Sequence, residues 1–147
     1  MESFLNLPME KQNIIIDAAL KIFGKHGYKK TSISDIASTA GISKAMIFHY
    51  FGTKKELYLY LVNTCVDNIS TEVVEKFDDS ITDFFDRILY TSKLKLSLLK
   101  KYPNVPSFIQ SAYFENDEEV RTEIRVIFKK DDGKTIGKKI TFEGADF

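Results

Sequence analysis

AGISKAMIFHYFGTKKELYLYL, Ala40 to Leu61, decides how the rest of the chain is read. Before it lies a short apolar face, Ile33, Ile36, Ala37 and Ala40, opened by Thr31-Ser32 with Asp35 as a capping-box variant. Gly41 breaks that segment. Ser43 then caps a second short helix, Lys44 to Phe51. Gly52-Thr53 ends it, and Thr53 with Glu56 is a capping box for the helix that follows. An isolated helix shorter than roughly 12–15 residues is marginal in water, so Lys44–Phe51 must be held by its neighbours. At about 100° per residue, Ile47, Tyr50 and Phe51 fall together as packing. Ala45 and His49 share the opposite side, one turn apart, and Lys44 and Phe48 pair at the boundary. The spacing predicts a helix with one buried face and one presented face.

Upstream, Ile14, Ile15, Ala18, Ala19 and Ile22 share one side of a helix from about Glu10 to Lys25, which Gly27 can terminate. Downstream, a long helix runs from Lys54 or Lys55 to about Phe77, and Asp78-Asp79-Ser80 reads as a turn and cap. The next helix reaches Lys101, with Ile81, Phe84, Phe85, Ile88, Leu89, Leu96 and Leu99 as its expected buried side. Tyr102-Pro103-Asn104 stops it. Val105-Pro106 opens a shorter helix to about Phe114. Asn116 with three acids behind it starts another, to about Phe128. In the last stretch Asp132-Gly133 signals a turn, and Thr135-Ile136 and Lys139 to Phe142 read as strand or loop. The expected fold class is all-α: a three-helix helix-turn-helix head over residues 1–54, a helical body over 55–130, and a short non-helical tail over 131–147.

Composition narrows the function. Of 147 residues, twelve are Phe and seven Tyr, ample core material, and three are Pro, which favours long helices. No apolar run is long enough to span a bilayer, and MESFLNLPME lacks the basic start and long apolar stretch of a secretory signal. With Cys65 alone, no internal disulfide can form, which fits a reducing, cytoplasmic location. The net charge of zero hides an asymmetry: residues 1–55 carry eight lysines against four acids, net +4, and the remainder thirteen basic against seventeen acidic residues, net −4. A basic head on an acidic body suits a phosphate-seeking module joined to something else. His26, His49 and Cys65 lack metal-ligand spacing. Asp78-Asp79 and Asp83 with Asp86 sit at a helix start, where acids serve capping. Without a glycine-rich phosphate loop or a nucleophile–base order, no enzyme, metal or cofactor is expected.

Two short helices joined through Gly41-Ile42-Ser43 make a helix-turn-helix, and the second suits a DNA major groove. Lys44 can reach guanine O6 or N7, Ala45 a thymine methyl, and His49 and Tyr50 can donate to phosphates. A lysine at a helix N-terminus is mildly unfavourable, by ~0.3–1 kcal/mol. A phosphate docked at Lys54 reverses that sign, because backbone N–H groups, dipole and ammonium would all face it. Thr31 and Ser32 offer a second phosphate hydroxyls at the other helix start.

Gly27 to Leu61, GYKKTSISDIASTAGISKAMIFHYFGTKKELYLYL, resembles the DNA-binding segment of TetR-type transcriptional regulators. The positions that carry the likeness are Gly27-Tyr28, Thr31-Ser32, Asp35-Ile36-Ala37, Ala40 to Ser43, Phe48 to Phe51, and Lys54 to Leu57. The resemblance implies that Lys44, Ala45 and Met46 face bases. Phe48, His49, Tyr50 and Lys54 would contact backbone, Thr31 and Ser32 would hold phosphate, and Ile36, Ala37, Ile47 and Phe51 would be core. Phe48 stands where many members carry tyrosine and lacks the hydroxyl. Ala45-Met46 stands where a more polar pair is common. The resemblance further implies a ligand-responsive repressor that binds double-stranded operator DNA as a homodimer. An unknown small-molecule effector would lie in a pocket within the body, for which Phe84, Phe85, Ile88, Ser92, Gln110 and Tyr113 are the candidates. Members usually end in two further dimer-forming helices, which do not follow the seventh helix here. The alternative expectation is therefore an effector-binding or protein-interaction module of the same fold that has lost DNA binding.

Overall fold

A short helix absent from the sequence reading opens the chain. It is α1, Glu2–Leu5, with Phe4 buried beneath it. The computed structural model describes residues 1–130 except Phe77 and Asp79. Among these residues there are eight helices and no strand. The expected segments between 131 and 147 lie outside the described residues.

The second helix, α2, spans Met9–Lys30 and carries a break at Gly27. Its φ of 78° is left-handed, so the chain turns there before resuming for Tyr28–Lys30, a conformation open to glycine at little cost. The buried arc of α2 is Ile15, Ala18, Ala19, Leu20 and Phe23. It is rotated from the expected one: Ile14 is exposed and Ile22 half-buried. The reason is that α2 packs on two sides, against α3 (Ile33–Ala40) and against α7 (Val105–Tyr113). Gly24 lets α2 and α7 cross closely, since a Cβ there would lie 3.3 Å from the Phe108 backbone nitrogen.

The helix-turn-helix is α3, the turn Gly41–Ser43, and α4 (Lys44–Phe51). α5, Lys54–Lys76, leaves the head and forms the spine of the body. It buries Leu57, Tyr58, Leu61, Val62, Cys65, Val66, Ile69 and Val73. Burial pushes the Cys65 thiol up to about 12.

The outer helix α6 (Phe84–Lys101) starts later than expected, with Asp83 rather than the Asp78–Ser80 turn accepting the capping N–H, from Asp86. Its buried side also differs. Leu94 and Leu98 are buried, Ile81 and Ile88 half-buried, and Phe84, Phe85, Leu89, Leu96 and Leu99 exposed. Leu94, Leu98 and Tyr102 lie four residues apart and fix which apolar stripe faces inward. Glu72 on α5 anchors that end: its carboxylate accepts from Lys101 and from the Tyr102 hydroxyl at 2.7 Å. Those bonds hold the Glu72 carboxyl at about 2, well below its ordinary 4.5.

The final described helix is α8, Arg121–Lys130, with Ile124 and Ile127 buried. It begins later than an Asn116 cap would place it. Asp117 takes that role, its carbonyl accepting from the Val120 and Arg121 N–H groups.

Candidate nucleic-acid interface

The helices α3, α4 and α5 are each started by a side-chain cap. Ser32 Oγ accepts from the Asp35 N–H at 3.4 Å, Ser43 Oγ from Met46 at 3.1 Å, and Thr53 Oγ1 from Glu56 at 3.0 Å. The third cap is preceded by Gly52 at φ 90°, where a Cβ would fall 2.1 Å from the Glu56 carboxylate. The chain therefore turns sharply enough to set the N-terminus of α5 beside the C-terminus of α4.

On α4, Ile47, Tyr50 and Phe51 are buried. Lys44, Ala45, Met46, Phe48 and His49 are exposed. Lys44 reaches along the helix to within 5.9 Å of the Phe48 ring centroid. One face thus offers a cation, a small methyl, a thioether and two rings within two helical turns. A residue that the sequence reading missed holds this helix from behind. The Phe4 ring lies 4.7 Å from Phe51, 6.0 Å from Tyr50 and 6.1 Å from Tyr60. The Gln12 amide ties α1 down by donating to the Leu5 and Leu7 carbonyls at 3.0 and 2.8 Å. The available signal was Phe4 and Leu7, two apolar residues immediately upstream of Pro8.

Lys54 sits at the first position of α5. Its ammonium donates to the Lys29 carbonyl at 3.2 Å and lies 4.7 Å above the Tyr28 ring. Tyr28 donates its hydroxyl to Glu119 at 2.8 Å and its backbone N–H to Glu115 at 2.9 Å. Burial and the Glu119 carboxylate hold the Tyr28 phenol protonated far above its ordinary range.

Two residues expected to meet DNA lie within the packing of the head. Thr31 is 3% exposed, and its hydroxyl donates inward to the Gly27 carbonyl at 2.7 Å. It closes the end of α2 and has no hydroxyl to spare for phosphate. Tyr50, 8% exposed, belongs to the packing behind α4. Ser32 is half-buried at the start of α3.

The six expected effector residues differ in burial. A cleft of about 430 Å³ is lined by Gly24, Ser107, Gln110, Ser111, Phe114 and Glu115. Gln110 is the single member of the six in it. Phe84, Phe85, Ser92 and Tyr113 are exposed and Ile88 half-buried, because α6 turns its Leu94–Leu98 side to the core.

Fold and face together define a helix-turn-helix head. Residues 15–61 match the family described as bacterial regulatory proteins, tetR family, so the chain carries a tetR-family domain at its head. The HTH-type transcriptional regulator BetI of Agrobacterium fabrum is 36% identical over 64 residues, 44% of this chain and 31% of BetI. The biofilm operon icaADBC HTH-type negative transcriptional regulator IcaR of Staphylococcus aureus is 35% identical over 60 residues, 41% of this chain and 32% of IcaR. The chain thus spans about a third of the length of these two relatives. Among solved structures, a TetR family transcriptional regulator from Chloroflexus aurantiacus superposes with a TM-score of 0.68 at 27% identity, over 86% of this chain and 58% of that one. The transcriptional regulator FadR from Bacillus subtilis, in complex with stearoyl-CoA, does so at 0.61 and 25% identity, over 88% and 73%.

Proposed function

We propose that this protein is a DNA-binding transcriptional regulator, a ligand-responsive repressor that holds operator DNA as a dimer. One observation carries the reading: an eight-residue helix, sealed by Ile47, Tyr50 and Phe51, presents Lys44, Ala45, Met46, Phe48 and His49 outward. A face of that kind fits the major groove, with Lys44 suited to guanine, Ala45 and Met46 to apolar base edges, and His49 to phosphate. Lys54, with the free N–H groups at the start of α5, suits a backbone phosphate. Phosphate contacts set the register, and base contacts carry the sequence information.

Two heads can both engage a duplex only if they are spaced by about one helical turn, ~34–36 Å, or a multiple of it. An effector in the body would repress binding by changing that spacing, without touching DNA. The repressor sense is supported by the likeness to IcaR, a negative regulator. The effector sense is supported by the likeness to FadR, solved with stearoyl-CoA. The test is enrichment of duplexes from a random-sequence pool on the full chain, followed by titration of the enriched duplex at several salt concentrations. The expected result is a shared, two-fold symmetric consensus and an affinity that falls steeply with salt. Absence of any enriched sequence from a folded protein would refute the proposal.

A further inference from the structure

The loop between α7 and α8 reaches the DNA-facing corner of the head through a series of fixed contacts. The break at Gly27 takes the Tyr28 N–H off the regular helical ladder, and it donates to Glu115. The other Glu115 oxygen accepts from the Asn116 and Asp117 N–H groups, each at 3.1 Å, so this carboxylate holds its own loop as well as the head. Asp117 in turn accepts from the Glu119 N–H at 2.9 Å, which sets Glu119 under the Tyr28 hydroxyl. The Tyr28 ring is 2% exposed, parallel to Phe23 and edge-on to Tyr58 at 5.0 Å. On its open side sits the Lys54 ammonium. Next to it, Lys55 pairs with Glu123 of α8 at 2.7 Å.

We infer that Glu119, acting through Tyr28, is a positioning residue for Lys54, so that the α7–α8 loop sets where the head offers its phosphate-binding charge. This rests on the DNA-binding reading above. The loop's carboxylates do not meet DNA themselves. Glu119 accepts a hydrogen bond from the protonated phenol, fixes the ring, and leaves it electron-rich toward the cation it supports. A body movement that shifted the loop by an ångström would move the seat of the lysine.

The full chain tests this with Tyr28→Phe, Glu119→Ala, Glu119→Gln and Lys54→Gln, and with each of the first three combined with Lys54→Gln. Two readouts are taken beside thermal melting: affinity for the enriched duplex, and the chemical shift of the Lys54 Hε protons in the free protein. A ring 4.7 Å beneath the ammonium moves those protons upfield. Tyr28→Phe and Glu119→Ala are expected to relax that shift and weaken duplex binding by about three- to tenfold, the range of one ordinary hydrogen-bonded contact. Glu119→Gln keeps an acceptor for the hydroxyl and is expected to restore both. In the Lys54→Gln background the other substitutions are expected to have no further effect on binding, which a merely structural role would not produce. An unchanged Lys54 shift in Glu119→Ala, or a loss that persists in full without Lys54, overturns the inference while leaving DNA binding intact. A wild type that enriches no duplex refutes the DNA-binding reading, and the positioning role falls with it.

Discussion

Replacing Phe4 with alanine tests whether α4 depends on its backing. The side chain is 1% exposed and meets three rings between 4.7 and 6.1 Å. A Phe→Ala change in a core costs about 3–5 kcal/mol when the cavity stays open. Here the site can relax, because α1 is only four residues long and Gln12 makes its two side-chain ties to the Leu5 and Leu7 carbonyls. Those two hydrogen bonds are worth about 1–3 kcal/mol together. Ordering four residues costs about 1–2 kcal/mol each, so without Phe4 the segment undocks rather than spanning a void. The expected global loss therefore falls at or below the low end of that range, about 2–3 kcal/mol by urea unfolding. The diagnostic readout is amide exchange. Protection should drop in α4, whose back is then open to water, while the Leu57–Val73 core of α5 keeps its order. Affinity for the enriched duplex should drop with it, and Phe4→Leu should recover most of the loss. A cost below about 1 kcal/mol with unaltered exchange in α4 would refute the reasoning.

Four further outcomes are expected. Lys54→Gln should lower the slope of log affinity against log salt by about 0.9, the share of one phosphate, and parallel slopes would remove Lys54 from the contact set. Thr31→Val should cost about 1 kcal/mol of stability, by leaving the Gly27 carbonyl short of a donor, and leave duplex affinity unchanged. Loss of DNA binding at full stability would restore Thr31 as a phosphate ligand. The Tyr58 hydroxyl is buried with no hydrogen-bond partner among the described residues, so Tyr58→Phe should be neutral or raise stability by up to about 1 kcal/mol in chemical denaturation; a clear loss would show that the hydroxyl is satisfied. The Glu72 carboxyl titrates at about 2 when folded instead of its ordinary 4.5, so its contribution is complete above that ordinary value and is lost as pH falls toward 2. Glu72→Gln should flatten the acid limb of the stability curve in that window, and cost about 1–2 kcal/mol at neutral pH because its lysine partners are solvated and screened.

The head was legible because its signals are local. Ser32, Ser43 and Thr53 each announce a helix start, and all three caps form as the spacing predicts. Periodicity placed Ile47, Tyr50 and Phe51 inside and Ala45 and His49 outside. Where the reading failed, the deciding contact was distant in sequence. Thr31 looks like a surface hydroxyl until the break at Gly27 folds a carbonyl over it. Two apolar stripes compete on α6, and the choice between them is made by Glu72, some thirty residues away, gripping Lys101 and Tyr102. Glu119 reads as a helix-start acid and Glu115 carries no signal of its own, yet both span about ninety residues to reach Tyr28. Phe4 carries no such signal, because a four-residue helix ahead of a proline has too few turns to show a helical period.

The lone thiol of the chain, Cys65, lies midway along α5 at 5% exposure, with ionisation suppressed to about 12. Alkylating reagents attack thiolate that solvent can reach. The labelling rate of the unmodified protein is therefore a built-in clock for opening of the spine. Any compound that slows it without touching the sulfur is stabilising the closed form, which gives a screen for effectors that needs neither an operator nor a mutant.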